Sequence, residues 1–271
     1  MAAPRFSRYV ALGDSSTEGL DDPDGRGHYR GWADRLAAHV ARAQVGTNGD
    51  ATGGLQYANL AVRGRRTRQV LTEQLPSALA MRPDLATVFS GTNDVTRSDF
   101  SVAAVRDDVE RLWSTLRESG ATVLSFTLPD LSAVIPFAKR IAPRVDAMNE
   151  ALRLTAQRTG AILVDFAEVP LTTDPRLWSA DRLHANTLGH ERIAAALAQA
   201  LELPGTDGAW AEPLPPARPP SVVVRAVEEV RWTQRYFLPW VWRRATGRSS
   251  GDGIQPKRPQ LAPVHLEERS A

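Results

Sequence analysis

Four short polar clusters along the chain carry side chains whose types and spacing could support nucleophilic chemistry. The first is Gly13-Asp14-Ser15, which directly follows a short apolar run. A serine hydroxyl is a weak nucleophile and needs a base within hydrogen-bonding distance. His184 can be that base, and Asp181, three residues earlier, is close enough in a turn to bond the imidazole and fix its tautomer. These residues predict nucleophilic catalysis with Ser15 as the attacking group.

Acyl transfer also needs hydrogen-bond donors aimed at the oxyanion of its tetrahedral intermediate. The candidate donors are the backbone N–H of Ser15, the backbone N–H of Gly64 and the side-chain amide of Asn93. Glycine at position 64 would let the backbone approach closely. We interpret the neighbouring carboxyl groups of Asp14 and Asp94 as structural, bonding the loop backbone around the site.

The catalytic candidates also have plain structural interpretations. Ser15 could cap a helix after a strand, and His184 could be an ordinary surface histidine. Ser16 is interpreted as a cap of the following helix, and His190 as a structural histidine at a helix start. The ordered succession of the clusters favours the catalytic interpretation of Ser15, His184 and Asp181.

The elements that must position these groups follow from the apolar pattern. Five apolar runs predict strands, and amphipathic segments between and after them predict helices. The strands are 8–13, 55–62, 84–91, 121–128 and 161–166, and the helices are 29–43, 65–81 with a break or bend at Pro76, 102–120, 143–160 and 188–203. Near-continuous apolar strands alternating with helices indicate a parallel sheet covered on both faces. We therefore predict an α/β fold, a flavodoxin-like three-layer α/β/α sandwich with a five-stranded parallel sheet. Ligands of such sheets bind beyond the carboxyl ends of the strands, where Ser15, Gly64 and Asn93 fall.

Composition excludes several other classes. The chain has 271 residues, of which 42% are apolar and 24% charged, and its net charge is only +2. This charge gives no global basic field for nucleic acid, so a nucleic-acid partner is not expected. The absence of cysteine excludes disulfides, thiolate nucleophiles and cysteine metal sites. His28, His39 and His265 form no metal-ligand pattern, so we expect neither a metal nor a cofactor.

Targeting signals are also weak. Arg5 and Arg8 resemble the basic start of a signal peptide, but the apolar stretch that follows is too short and runs into the polar first cluster. No segment approaches the ~18 apolar residues of a transmembrane helix. The expected location is the cytoplasm.

The sequence resembles the GDSL or SGNH hydrolase family over about residues 6–202. That family has GDS near the N-terminus, a glycine in a second block, GxND in a third and DxxH near the C-terminus. The corresponding residues here are Gly13-Asp14-Ser15, Gly64, Gly91-Thr92-Asn93-Asp94 and Asp181-Arg182-Leu183-His184, and Gly19 and Gly189-His190 also match. One departure is the stretch ANTLGH after His184, where the family often has a proline.

The resemblance implies a serine hydrolase that cleaves carboxylic esters through an acyl-enzyme intermediate. It implies Ser15 as nucleophile, His184 as base and Asp181 as its orienting residue, with Ser15, Gly64 and Asn93 forming the oxyanion hole. A carbohydrate deacetylase or thioesterase using the same site, or a non-catalytic binding module that keeps the fold, remains an alternative. The apolar segment 128–143 slightly favours a simple acyl ester as the small-molecule substrate.

A group of arginines around Gly64 has two interpretations. We favour the interpretation that these arginines form salt bridges with acidic residues of neighbouring loops. The alternative is that they bind an anionic acyl or phosphate-bearing substrate. The group consists of Arg63, Arg65, Arg66 and Arg68.

The chain changes character after the last predicted helix. We expect a hydrolase domain over 1–204, a Pro-rich linker over 205–221, and an amphipathic helical segment with a disordered tail over 222–271. Packing of the helical segment on the hydrolase body is the favoured interpretation. A weak membrane-surface contact and docking of a partner helix are the alternatives. The membrane alternative rests on aromatic and basic residues, namely Trp232, Trp240, Trp242, Arg231, Arg235, Arg243 and Arg244.

Overall fold

A central six-stranded sheet organises the chain in the computed structural model, which describes residues 5–45, 54–218, 221–246 and 249–266. Its strands are β1 (Arg8–Gly13), β2 (Gln56–Asn59), β3 (Leu85–Phe89), β4 (Thr122–Phe126), β5 (Ile162–Val164) and β6 (Arg258–Pro263). The strand order is β5-β4-β3-β1-β2-β6. Strands β1 to β5 run parallel, whereas β6 is antiparallel to β2. The order reverses between β1 and β3, which places a binding crevice at their carboxyl ends.

Helices cover both faces of this sheet. Helix α2 packs against α8, and α6 packs against α7. The α-helices are α1 (Ser15–Glu18), α2 (Gly31–Gln44), α3 (Thr67–Gln69), α4 (Leu75–Ala80), α5 (Thr92–Val95), α6 (Val102–Glu118), α7 (Ala142–Thr159), α8 (Thr187–Ala200), α9 (Val222–Trp232) and α10 (Leu238–Ala245). The protein thus has an α/β fold with a mostly parallel central sheet and surrounding helices. None of the described helices is long and apolar enough to cross a membrane.

The core explains why the inner strands are almost entirely apolar. Strand β1 lies between β2 and β3, so both of its edges are paired, and helices cover the sheet faces, so that Tyr9 and Leu12 are fully buried. The ring of Tyr9 stacks on Tyr57 of β2 at 4.9 Å, and Trp32 of α2 meets Phe126 of β4 edge to face at 5.3 Å. These contacts fix the strand ends on which the polar clusters lie.

Two π-helical turns precede prolines in otherwise continuous helices. The segment Val70–Gln74 joins α3 to α4 just before Pro76, and Thr233–Phe237 joins α9 to α10 just before Pro239. A wider turn accommodates a proline ring that would collide with a carbonyl one normal turn earlier. The break or bend predicted at Pro76 is therefore a π turn that precedes it.

The end of the chain corrects the expected number of strands and the expected disordered tail. Residues Arg258–Pro263 form β6, so the sheet has six strands rather than five. Proline lacks a donor and is tolerated at a sheet edge, which is where Pro259 and Pro263 lie. Lys257 anchors this strand by an ion pair with Asp34 of α2 at 2.9 Å. Residues 267–271 of the predicted tail lie outside the described residues.

The helical segment α9–α10 packs on the α/β body, as the favoured interpretation predicts. Trp232 is buried in a small apolar cluster with Val134, Ile135 and Ala138. The described part of the expected linker also packs inward, since Trp210 meets Phe166 edge to face at 5.7 Å.

Candidate active site

Ser15 lies where β1 ends and the short helix α1 begins. Gly13 has a positive φ of 154°, and a Cβ there would lie 2.3 Å from the carbonyl oxygen of Phe89, so only glycine lets β1 and β3 approach this closely. The buried Asp14 caps α1, accepting the backbone N–H of Ser16 at 3.1 Å. Asp14, not Ser16, is therefore the N-cap of α1.

His184 and Asp181 lie on a tight turn just before α8. The carboxylate of Asp181 accepts the backbone N–H groups of Leu183 and His184 at 2.8 and 3.0 Å, and the hydroxyl of Ser179 at 2.6 Å. The backbone N–H of Ser179 in turn donates to the carbonyl of His184 at 2.8 Å. These bonds fix the carboxylate next to Nδ1 of the imidazole ring.

A continuous hydrogen-bond chain joins these residues, although Ser15 and His184 are far apart in sequence. The Nε2 of His184 lies 2.7 Å from Ser15 Oγ, and its Nδ1 lies 2.6 Å from Asp181 Oδ2. An ionised carboxylate can only accept, so Nδ1 carries the proton and Nε2 is free to accept from the serine hydroxyl. This arrangement can activate the hydroxyl as a nucleophile.

The electrostatics of the pair agree with this protonation pattern. Burial raises the pKa of Asp181, but its hydrogen bond and charge interaction with His184 outweigh burial and hold that pKa well below its usual range. Burial lowers the pKa of His184, but the hydrogen bond and charge of Asp181 outweigh it, so this pKa is raised above its ordinary value. The charge of Asp181 thus favours the protonated form of the His184 imidazole.

Gly64 and Asn93 lie on the turns beside Ser15. The Nδ2 of Asn93 donates to the carbonyl of Arg65 at 3.0 Å and to Asp14 Oδ2 at 3.2 Å, which ties together the turns after β1, β2 and β3. Gly64 has φ of 76°, a left-handed conformation that favours glycine. Among the described residues, the backbone N–H groups of Ser15 and Gly64 have no hydrogen-bond acceptor.

The supporting carboxyl groups bond the loop backbone. Asp94 Oδ2 accepts the backbone N–H of Thr67 at 2.9 Å and its hydroxyl at 3.0 Å, so the third cluster holds the start of α3. Burial raises the pKa of Asp14 to about 7. A partly protonated Asp14 places less negative charge beside Ser15 than a fully ionised one would.

All four arginines near Gly64 pair with acidic groups, as their favoured interpretation predicts. The pairs are Arg63–Glu18, Arg65–Glu73, Arg66–Asp94 with Asp99, and Arg68–Asp108. The geometry therefore gives no support to an anionic substrate bound by these arginines.

His190 lies in the interior, away from Ser15. Its Nδ1 accepts the backbone N–H of Trp32 at 3.1 Å, and its Nε2 donates to the carbonyl of Leu20 at 3.0 Å. Only the neutral imidazole can make both bonds, and burial lowers the pKa of His190 to about 4. This histidine ties the start of α8 to the start of α2.

Two acidic residues at the site escaped the sequence reasoning. Asp21 Oδ2 lies 3.9 Å from His184 Nδ1, and its charge contributes to the raised pKa of that histidine. Glu18 is buried and accepts the backbone N–H of Arg63 at 2.9 Å, which fixes the backbone just before Gly64. Both come shortly after the first cluster, but no spacing rule relates them to the other clusters.

One set of metal-type ligands occurs among the described residues. The carboxylates of Asp21 and Asp181 and a ring nitrogen of His184 lie within 4.8 Å of one another. His184 Nδ1 already donates to Asp181, so a cation here would have to displace that proton. The set fits the proton-transfer role better than a metal centre.

An apolar cleft opens beside Ser15. Many of the residues that line it have an apolar or aromatic side chain. They are Phe89, Phe126, Leu131, Phe166, Val169, Leu171, Leu177, Trp178, Leu183, Ile193 and Trp210. Of the predicted apolar segment 128–143, Pro129 and Leu131 reach the cleft. The cleft can hold an uncharged apolar group next to the serine hydroxyl.

Comparison with known proteins identifies the family. The model of the GDSL-like lipase/acylhydrolase family matches residues 11–192, which is well over half of the chain. The chain belongs to this family. It is therefore a GDSL-like acylhydrolase, a carboxylic ester hydrolase, and the predicted resemblance is confirmed.

Solved structures share the fold at low identity. An α/β hydrolase from the metagenome of Lake Arreo, Spain, is 22% identical, with a TM-score of 0.59 over 75% of this chain and 97% of that one. The esterase EstA from Pseudoalteromonas is 17% identical, with a TM-score of 0.56 over 72% and 97%. A variant of Axe2, an acetyl xylan esterase from Geobacillus stearothermophilus, is 18% identical, with a TM-score of 0.60 over 75% and 98%.

The family model ends within α8, so the segment from the linker onward lies outside it. No curated protein matches the chain.

Proposed function

We propose that this acylhydrolase cleaves carboxylic esters through an acyl-enzyme intermediate formed on Ser15. The observation that carries the proposal is the unbroken hydrogen-bond chain from Ser15 Oγ through His184 to Asp181. His184 takes the hydroxyl proton as Ser15 attacks the ester carbonyl, and it then returns that proton to the leaving alcohol. Water, deprotonated by the same imidazole, hydrolyses the acyl-serine and restores the hydroxyl.

Three donors are proposed to stabilise the oxyanion. The backbone N–H groups of Ser15 and Gly64 lack acceptors among the described residues, which leaves them available for a substrate oxygen. The third is the amide of Asn93, whose longer hydrogen bond, to Asp14, is the one an oxyanion would replace. The raised pKa of Asp14 supports this exchange, because a protonated carboxyl is a weaker acceptor than a carboxylate.

The substrate class is proposed from the cleft. An apolar lining beside Ser15 suits an apolar acyl group of a simple or lipid-like ester. A thioester with the same acyl group would fit equally, whereas the small acetyl group of an acetylated sugar would cover little of this apolar lining. We therefore place the carbohydrate deacetylase alternative behind the esterase and thioesterase ones.

The test uses purified protein with p-nitrophenyl esters of increasing acyl length, a matching thioester and an acetylated sugar, with the Ser15→Ala variant as control. We expect turnover of the apolar esters, none by Ser15→Ala, and labelling of Ser15 by a fluorophosphonate. A protein that neither turns over esters nor labels at Ser15 would be a binding module that keeps the fold.

A separate proposal concerns a weak contact with an anionic membrane surface. Helix α9 turns Glu229 and Trp232 towards the body, whereas Val222, Val223 and Val230 are 72%, 72% and 58% exposed. Exposed arginines accompany these valines along α9–α10, namely Arg225, Arg231, Arg235 and Arg243. An apolar face beside exposed cationic groups suits an interfacial helix that lies on anionic lipid.

Flotation of the full chain with vesicles that contain anionic lipid tests this contact. We expect co-flotation at low salt that weakens at high salt and in a Val223→Asp/Val230→Asp variant. Purely zwitterionic vesicles are the lipid control. No flotation at low salt overturns the proposal, and a concentration-dependent dimer abolished by the same variant would assign the face to a second copy instead.

A further inference from the structure

The turn that carries His184 and Asp181 is contacted by a helix that lies outside the family segment. The indole Nε1–H of Trp232 in α9 donates to the backbone carbonyl of Asp181 at 2.9 Å. The guanidinium of Arg182, the next residue of the turn, lies over the same indole ring at 4.8 Å from its centroid. Its Nη1 also pairs with Glu229 of α9 at 2.6 Å. Three contacts of different kinds thus join α9 to one short turn.

The backbone of this turn has a conformation that needs support. Arg182 has φ of 64°, in the left-handed region that side chains other than glycine rarely adopt. The residue lies between Asp181 and His184, so relaxation of its φ would change the distance between carboxylate and imidazole. The contacts of Arg182 with Trp232 and Glu229 counteract that relaxation.

The turn with Gly64 is contacted by the same C-terminal segment, further along the chain. A Cβ built on Gly64 would lie 2.4 Å from Ser249 Oγ. A Cβ built on Gly251 would lie 2.0 Å from the carbonyl oxygen of Arg63, the residue before Gly64. At Gly251 backbone therefore packs directly on backbone and requires glycine, whereas at Gly64 the nearest neighbour is a serine hydroxyl.

We propose that the C-terminal segment formed by α9 and residues 249–251 positions the two turns that bear the catalytic base and the oxyanion donor. Trp232 is a positioning residue that acts through Asp181, and Gly251 is one that acts through Gly64. The inference rests on the proposed roles of Asp181, His184 and Gly64. Without the segment the fold can persist, but the imidazole and the Gly64 N–H lose their fixed places relative to Ser15.

The first test replaces only the indole donor. Trp232→Phe keeps a buried ring and removes the hydrogen bond to the Asp181 carbonyl, and Trp242→Phe makes the same change at an exposed position of α10. We expect Trp232→Phe to lower kcat about three- to tenfold, with KM unchanged. The acidic limb of its kcat/KM profile should move to lower pH, because Asp181 then supports the imidazolium less well. Trp242→Phe should behave as the parent protein.

A second test separates backbone positioning from loss of contacts. Arg182→Ala removes the contacts with α9 but keeps a side chain at a positive φ, whereas Arg182→Gly removes the contacts and accepts that φ without strain. We expect Arg182→Ala to lose activity and Arg182→Gly to recover most of it. Equal activity of the two variants would overturn the positioning role of this turn.

The contact at Gly64 is tested by Gly251→Ala, with Gly208→Ala as a matched change that meets no atom within 4 Å. We expect Gly251→Ala to lower kcat with KM unchanged, because it displaces an oxyanion donor, and Gly208→Ala to change neither. If the parent protein hydrolyses esters and Ser15→Ala does not, but Trp232→Phe and Gly251→Ala equal the parent, the positioning proposal fails alone. An inactive, unlabelled parent would instead overturn the proposed function.

Discussion

At the level of single residues, Ser15, His184 and Asp181 form one hydrogen-bonded unit, so their losses should not add. We expect Ser15→Ala and His184→Ala each to lower the acylation rate by several powers of ten, and the double variant to be little worse. Asp181→Asn should cost less, because the imidazole remains but loses its charge support. Single-turnover kinetics with an activated ester measures all four variants. If the rate of the double variant were lowered by the product of the two single-variant factors, Ser15 and His184 would act independently, which would contradict the prediction.

His190 should affect stability rather than chemistry. Its folded-state pKa of about 4 lies below the ~6.5 of an exposed histidine, so the unfolded chain binds more protons between these values. The contribution of His190 to stability is therefore complete above about pH 6.5 and falls by up to ~1.4 kcal/mol per pH unit towards pH 4.

Denaturant titrations of the parent and His190→Ala at pH 7.5 and pH 5 measure this contribution. His190→Ala should be less stable at pH 7.5, because the backbone N–H of Trp32 and the carbonyl of Leu20 lose their partner. Its deficit should shrink at pH 5. Turnover by the folded fraction should persist, and complete inactivation of a still-folded His190→Ala variant would contradict the structural role.

Two of the predicted site residues stand at strand ends, whereas His184 and Asp181 are predicted from their spacing and motif. Ser15 and Asn93 follow β1 and β3, so the topology of a parallel sheet brings them together without further information. Asp21 reaches His184 through a turn with φ of 66°, and no local pattern predicts where such a turn points a carboxylate. The roles of Ser15, Asn93 and His184 in catalysis remain predictions.

At the level of elements, α8 depends on the cap that follows the His184 turn. The side chain of Asn186 accepts the backbone N–H of Gly189 at 3.1 Å and donates to the carbonyl of Arg176 at 2.8 Å. We expect Asn186→Ala to lower the free energy of unfolding by about 1 kcal/mol or more. Ser221→Ala, at the exposed cap of α9, is the matched control and should cost less. Chemical denaturation compares them, and equal losses would contradict the added role of Asn186.

The strands differ in how well their apolar sequence pattern predicts them. Strands β1 and β3 are almost entirely apolar because both faces are covered, and such runs are easily recognised. Strand β6 has two prolines and a charged first residue, which is typical of a loop as much as of an edge strand. It becomes a strand because β2 offers it an unpaired edge, a tertiary effect that the local sequence does not carry.

At the level of the whole molecule, the predicted division after residue 204 can be tested by a chain that ends there. That chain would lack β6 and Trp232, leaving β2 as an open edge and the apolar groups around Val134 and Ile135 uncovered. We expect a thermal midpoint many degrees lower and association at micromolar concentration. Differential scanning calorimetry and analytical ultracentrifugation check both outcomes. A monomer as stable as the full chain would show that 1–204 is an independent domain.

The late position of β6 also bears on how the protein is made. Its partner β2 leaves the ribosome long before β6 does, because the two strands are far apart in the sequence. During translation β2 therefore has one row of amides and carbonyls unpaired, which can pair with another nascent chain. Pairing of β6 with β2 closes a very long loop and covers that row in one step. Chains terminated before β6 by a nonsense codon would keep the unpaired amides and carbonyls of β2 exposed permanently. Such chains should therefore be prominent substrates for chaperones and proteases rather than weakly active enzymes.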